Sequence, residues 1–190
     1  GLNTALKAQT SRQIELGAKW RRGDLALDAA WFDTRVSDEI GVATNAGGRS
    51  TFQNVGRTLR RGAELSTQWA PAAAWRVTLA ATWLAASYRD AFLTCGAIPC
   101  TAPTVTVAAG NRVAGTARTT GFAEVQWRGA AWGDWAVEAR GSGRVAVNDV
   151  NADFAPGYGL LALRWSKAYV LPGGWKAELL ARLDNAADRV

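Results

Sequence analysis

Eight long stretches of this chain alternate apolar and polar side chains with a period of two, and that alternation restricts the fold more than any other feature. Successive side chains of a β-strand point to opposite faces, so a period of two gives each segment one apolar and one polar face. The stretches run over 11–22, 24–40, 51–70, 74–89, 115–128, 133–147, 157–170 and 174–185. They exceed the five or six residues of an ordinary soluble strand. They match the roughly 9–11 residues that a tilted strand needs to cross a bilayer, with extensions.

The two faces differ sharply in charge. Over 133–147, Trp135, Val137, Ala139, Gly141, Gly143 and Val145 oppose Ala136, Glu138, Arg140, Ser142 and Arg144. Near the end, Trp175, Ala177, Leu179, Ala181 and Leu183 oppose Lys176, Glu178, Leu180, Arg182 and Asp184. Ile14, Leu16, Ala18 and Trp20 oppose Gln13, Glu15, Gly17, Lys19 and Arg21, and Ala123, Val125 and Trp127 oppose Phe122, Glu124, Gln126 and Arg128. The main polar exceptions on the apolar face are Asp33, Thr119 and Lys167, each toward a strand end.

Connections alternate in length. Short ones fall at Arg22-Gly23, Ala70–Ala73, Gly129–Gly133 and Leu171–Gly174, and long ones at 41–50, 90–114 and 148–156. Short turns at one end and long loops at the other are the habit of outer-membrane barrels. Seven of the ten tryptophans (Trp20, Trp69, Trp75, Trp127, Trp132, Trp135 and Trp175) lie in or near the short turns. Tryptophan favours the membrane interface, where its ring is apolar and its N–H reaches water. Many Ala and Gly on the apolar face suit lipid, which fits itself to any surface, better than a close-packed protein interior. The expected fold is all-β: an antiparallel transmembrane barrel segment of about eight strands in an up-and-down meander, filling 1–190 as one partial domain. A free-standing eight-stranded membrane barrel (anchor, adhesin or small enzyme) and a soluble β-sandwich are the alternatives.

Composition narrows the chemistry. No run of about 18 apolar residues is present, so no transmembrane helix is expected. Mean hydropathy is −0.08, as a barrel with only alternate residues apolar would give. The +6 formal charge is spread along the chain, which speaks for solvated or paired surface charge and against a nucleic-acid patch. Histidine is absent, removing the commonest general base and metal ligand. Ser and Asp without His form no hydrolase triad, so no enzymatic activity, metal site or cofactor is expected. Cys95 and Cys100, spaced C-G-A-I-P-C, could close a small disulfide loop, which implies an oxidising compartment; a thiol metal site is the alternative, poor without His. The chain starts at Gly1, holds no Met and shows no charged-then-apolar leader, which reads as a processed form or a fragment.

Three segments carry a resemblance to a known family. Asn54 to Leu65 (NVGRTLRRGAEL), Asn148 to Arg164 (NDVNADFAPGYGLLALR) and Trp175 to Val190 (WKAELLARLDNAADRV) resemble later barrel strands of TonB-dependent outer-membrane receptors. The first matches a Gly-x-Glu strand entry, and the second a polar loop ending at Pro-Gly-Tyr. The third matches a penultimate strand, with Leu183-Asp184-Asn185 in altered order and Val190 near the place of an aromatic. The resemblance implies about eight later strands of a larger barrel, with the plug and final strand absent from this sequence. It implies a bacterial outer-membrane location, lipid around the barrel, a ferric siderophore or similar iron chelate as substrate, and energy from the TonB system through the plug. The charged face would line the lumen with Arg118, Glu124, Glu138, Arg140, Arg144, Arg164, Glu178 and Arg182. Ligand capture would fall to the long loops, through Tyr88, Arg89, Arg112, Asn148, Asp149 and Asn151.

Overall fold

The structure is a computed structural model describing residues 3–188. Fourteen strands follow in chain order: β1 (Thr10–Arg22), β2 (Leu25–Ser37), β3 (Ile40–Ala46), β4 (Arg49–Asn54), β5 (Thr58–Ala72), β6 (Trp75–Tyr88), β7 (Phe92–Thr94), β8 (Val105–Val107), β9 (Thr119–Gly129), β10 (Gly133–Ser142), β11 (Val145–Ala146), β12 (Phe154–Ala155), β13 (Tyr158–Val170) and β14 (Lys176–Leu183). The eight long strands make one sheet in the order β1-β2-β5-β6-β9-β10-β13-β14, every neighbouring pair antiparallel. Among the described residues β1 and β14 are each paired on one side only, so these strands do not close into the free-standing eight-stranded barrel.

The register sorts the side chains as the alternation requires. One oblique row runs Leu25, Trp69, Val77, Val125, Val137, Leu163, Leu183 across seven strands. The next apolar row toward the short turns holds Trp75, Trp127, Trp135 and Trp165. Trp75 and Trp127, and Trp135 and Trp165, have ring centroids 6.4 Å apart. Among the described residues nothing covers this face: Leu16 is 70% exposed, Val137 45% and Leu179 55%. A sandwich would bury these same residues against a second sheet.

The polar exceptions are accommodated at strand ends. Lys167, near the end of β13, donates its ammonium to the Ala131 carbonyl at 2.8 Å. Trp165 Nε1 donates to the Trp132 carbonyl of the same turn at 2.8 Å. The turn requires glycine at 133, where φ is +79° and a Cβ would stand 2.5 Å from the Ser166 carbonyl oxygen.

The three long connections differ from the loops expected. Each contains a two-stranded hairpin: β3–β4, β7–β8 and β11–β12. The strand expected over 51–70 is split at Val55–Arg57, since Gly56 has φ +86°. The one expected over 133–147 ends at Ser142, and 24–40 ends at Ser37 before Asp38 at φ +54°. The first two hairpins meet through β3 and β7 at the loop end, where Val55, Tyr88 and Val107 form a buried cluster flanked by Phe92 and Val113. Cys95 and Cys100 are joined by a disulfide. The loop it closes pairs with β3 through Asn45 N to Cys100 O, 3.0 Å, and Cys100 N to Asn45 O, 2.7 Å. Val190 lies outside the described residues.

Candidate functional site

The charged face carries an ionic belt at mid-sheet. Glu124 of β9 and Glu138 of β10 stand opposite each other, as do Arg164 of β13 and Arg182 of β14. Like charges directly opposite repel. Two long-reach pairs remove the conflict, each spanning one intervening strand: Arg164 to Glu124 at 3.0 Å, and Arg182 to Glu138 at 2.8 Å. The intervening positions are alanines, Ala136 and Ala162, both buried. A longer side chain there would block the path. Gln126 adds a hydrogen bond to Glu124 at 2.5 Å. Arg140 lies between Phe122 and Leu160 in register, and Glu178 opposite Ala168 toward the short-turn end.

Above the belt, toward the loops, three arginines gather. Arg118 immediately precedes β9 and Arg144 lies between β10 and β11, immediately before β11. The Ala117–Val145 bridge and the Gly143 N to Thr119 O bond (2.8 Å) hold the two segments together there. Arg144 places its guanidinium 4.6 Å from the Phe154 ring centroid, and Arg112 is 5.7 Å from the same ring. Partial burial, and then the charges of Arg118 and Arg144, hold the Arg112 guanidinium below its ordinary pKa; at neutral pH it stays cationic. Among the described residues none of these three arginines has a carboxylate within salt-bridge reach. Two guanidiniums, those of Arg112 and Arg144, thus flank one aromatic ring, with the Arg118 charge close enough to act on Arg112, a cation-rich arrangement suited to an anion.

The neighbouring loop residues hold this pocket in shape. Arg112 N donates to Asn151 Oδ1 at 2.7 Å, and Asn151 Nδ2 donates back to Arg112 O at 2.9 Å. Ala114 N donates to Asp149 Oδ1 at 2.9 Å, and Asn111 Nδ2 to Asp149 O at 2.9 Å. Asn148 Oδ1 accepts from Ala152 N at 3.2 Å. Two long connections are thereby stitched along one seam.

Of the residues singled out from sequence, Arg112, Arg118 and Arg144 come together. Asn148, Asp149 and Asn151 form the seam beside them. Tyr88 is buried with its ring edge-on to Phe92 at 4.8 Å, and Arg89 is exposed next to it. Sequence reading missed Phe154, although it is the lone aromatic in a polar loop and that was a usable signal. It also missed Glu39, whose carboxylate takes Arg60 in a fork (2.6 and 3.1 Å) and the Thr58 hydroxyl. Burial raises the Glu39 pKa, but the bonds from Arg60 and Thr58 outweigh it and the net shift is downward. Asp90 forms a second such unit, accepting from Arg57 N, Nε and Nη2 at 2.8, 2.9 and 2.6 Å.

Comparison with known proteins places this architecture. A family model for the TonB dependent receptor-like β-barrel matches residues 1–186. The siderophore receptor PiuA from Acinetobacter baumannii superposes with a TM-score of 0.71 at 20% identity, covering 94% of this chain and 24% of that one. The ferric yersiniabactin uptake receptor FyuA from Yersinia pestis gives 0.68 at 19% identity, with 95% and 25% covered. The ferric-catecholate import receptor Fiu from K12 E. coli gives 0.67 at 21%, with 98% and 24% covered. The chain thus spans about a quarter of the length of these receptors. An eight-strand antiparallel meander with short turns at one end and an exposed apolar face is the arc those barrels share with it, and the chain belongs to the TonB-dependent receptor β-barrel family.

Proposed function

We propose that this chain is part of the wall of a bacterial outer-membrane receptor that imports a ferric siderophore or similar anionic metal chelate, energised by the TonB system. The apolar face meets lipid. The charged face, with Arg118, Glu124, Glu138, Arg140, Arg144, Arg164, Glu178 and Arg182, lines the lumen. The observation that carries the substrate class is the pair Arg112 and Arg144 against Phe154, with the Arg118 charge beside them and, among the described residues, no carboxylate in salt-bridge reach of the three. It lies where a ligand descending from the loops meets the upper lumen. Guanidiniums bind carboxylate or catecholate oxygens through forked hydrogen bonds, and Phe154 offers a flat apolar surface for an aromatic chelator. Below it the belt is internally neutralised, so the attraction for an anion is strongest at the top. Arg89 is an additional exposed cation at the loop end, while Tyr88, Asn148, Asp149 and Asn151 shape the rim.

The test uses the full-length receptor containing this chain, expressed in cells lacking their own siderophore receptors. Uptake of a radio-iron-labelled anionic tris-catecholate is compared with that of a neutral tris-hydroxamate. Replacing Arg118 and Arg144 by Gln is expected to weaken binding of the anionic chelate by roughly tenfold or more, as loss of two charge-assisted contacts implies. Unchanged binding of every anionic chelate that wild type takes up contradicts the assignment.

A further inference from the structure

Among the described residues the apolar face carries one charged cluster, and it occupies two adjacent rows toward the loop end. Asp33 of β2 is 6% exposed on that face, in the row that pairs it with Ile14 and Arg61. Arg61 Nε and Nη2 both donate to Asp33 Oδ2, at 3.0 and 2.8 Å, and Arg35 Nε donates to Oδ1 at 3.1 Å. One row further toward the loops, Arg12 stands directly opposite Arg35. The cluster holds three cations and one anion. Among the described residues the Arg35 terminal nitrogens, Arg61 Nη1 and the Arg12 guanidinium have no protein acceptor. The Arg35 and Arg61 side chains are 74% and 47% exposed, so these donors face outward.

Register fixes the height of the cluster. Trp31, Ala63 and Trp83 form the row just beneath it, while Trp69 and Trp75 mark the short-turn end. Ten residues of β6 separate Trp75, in the tryptophan row nearest the short turns, from Ala85, the partner of Arg61, which at about 3.4 Å per residue and a tilt of about 40° is roughly 26 Å along the barrel axis. That equals the apolar band of about 25 Å between two aromatic girdles. Trp31 and Trp83 belong to the second girdle, and the arginines lie just past it, at headgroup level. Mid-band arginines cost about 2–4 kcal/mol, whereas at this level the cost is small.

We infer that Arg12, Arg35 and Arg61 form a binding site for the phosphorylated headgroup of a lipid in the leaflet at the loop end, with its acyl chains lying along Ile14, Leu16, Trp31 and Trp83. Two observations favour a bound anion. Asp33 orients two guanidiniums yet neutralises only one, and Arg12 faces Arg35 across two strands, a like-charge pair that an intervening phosphate converts to attraction. A lipid fits better than a peptide or free ion, because the site is continuous with an apolar face of membrane height. The inference rests on the membrane reading of that face.

The test uses the full-length receptor containing this chain, purified in detergent, with native mass spectrometry reading retained lipid. Wild type is offered phosphatidic acid and its dephosphorylated form, diacylglycerol. The variant Arg12→Gln/Arg35→Gln leaves the Arg61–Asp33 pair intact, and Arg12→Gln alone touches no ion pair. Wild type is expected to retain the phosphorylated lipid, with occupancy falling about tenfold in the double variant and less in the single one. The dephosphorylated lipid is expected to bind weakly to all. Equal occupancy in wild type and double variant overturns the site, as does equal retention of the two lipids or full displacement by inorganic phosphate. Failure of the membrane reading is seen separately, as absence of tryptophan quenching by brominated acyl chains after reconstitution.

Discussion

Arg182 of β14 reaches past β13 to grip both carboxylate oxygens of Glu138 on β10, at 3.1 and 2.8 Å, beside the buried methyl group of Ala162. The contact depends on a small residue as much as on the two charges. Replacing Ala162 with Leu is expected to part the pair. The stability lost is about 0.5–1 kcal/mol, the scale of a cross-strand ion pair. In the Ala162→Leu background the double-mutant coupling between Glu138→Ala and Arg182→Ala, read from chemical unfolding of the full-length receptor, should fall to near zero. Coupling of equal size in both backgrounds contradicts the geometry.

The Arg57–Asp90 unit gives a pH dependence. Hydrogen bonds from the Arg57 side chain, then from its backbone, hold the Asp90 carboxyl down to about 2 from an ordinary value of 3.8. A depressed carboxyl pKa stabilises the folded loop above the unfolded value, and that contribution is lost as pH falls through the folded one. Protection of the Arg57 amide against hydrogen exchange, corrected for intrinsic rate, is therefore expected to be constant above pH 4 and to decline between about pH 4 and 2. In Asp90→Asn the protection should be low and flat across this range. A decline centred well above pH 4 in the wild type is inconsistent with this arrangement. Gly56 belongs to the same unit, since a Cβ there would approach Asp90 Cβ to 2.9 Å.

Two turn glycines make a matched pair. Gly133 has φ +79° and backbone within 2.5 Å of a Cβ position, whereas Gly23 has φ +54° and open space. Gly133→Ala is expected to cost about 1–3 kcal/mol through strain and displacement of Ser166 or Trp165. Gly23→Asn should cost only a few tenths, because Asn tolerates the left-handed region. Thermal loss of the compact band on unheated gel electrophoresis measures both, and the order of the two variants is the check.

The stitching of the second and third long connections rests on Asn151. Removing its side chain in Asn151→Ala takes away both bonds to the Arg112 backbone and leaves those groups to find water, an expected local loss of about 1–3 kcal/mol. Limited proteolysis within 147–155 should accelerate while the strands stay resistant. Unchanged cleavage contradicts the seam.

The long strands were legible because the same signal repeats at every position. Trp135, Val137 and Ala139 against Ala136, Glu138 and Arg140 admits only one pairing face, and the register honours it. The ends were less legible. Alternation continues through Gly143 and through Val55-Gly56, where a positive φ or a close backbone approach, not a change of pattern, stops the strand. The strands of the loop hairpins are two to seven residues long, too short for periodicity to register. The site was half visible. Arg118 and Arg144 could be placed on the charged face from parity alone. Their meeting with Arg112 and Phe154 depends on contacts between separate loops, such as Asn111 with Asp149, 38 positions away. Asp33 appeared in the sequence only as an exception on an apolar face. Its meaning came from Arg35 and Arg61, one on its own strand and one on the next.

The central claim is that lipid, not protein, covers the apolar face. Nitroxide labels placed singly at 160–165 of β13, in the full-length receptor reconstituted into bilayers, test it most directly. Collision with dissolved oxygen should peak at Leu161, Leu163 and Trp165, and collision with a water-soluble nickel chelate should peak at Leu160, Ala162 and Arg164, alternating with the strand period. Labels at Leu161, Leu163 and Trp165 that meet neither reagent, as they would beneath a second protein layer, or that meet the nickel chelate instead, would contradict it.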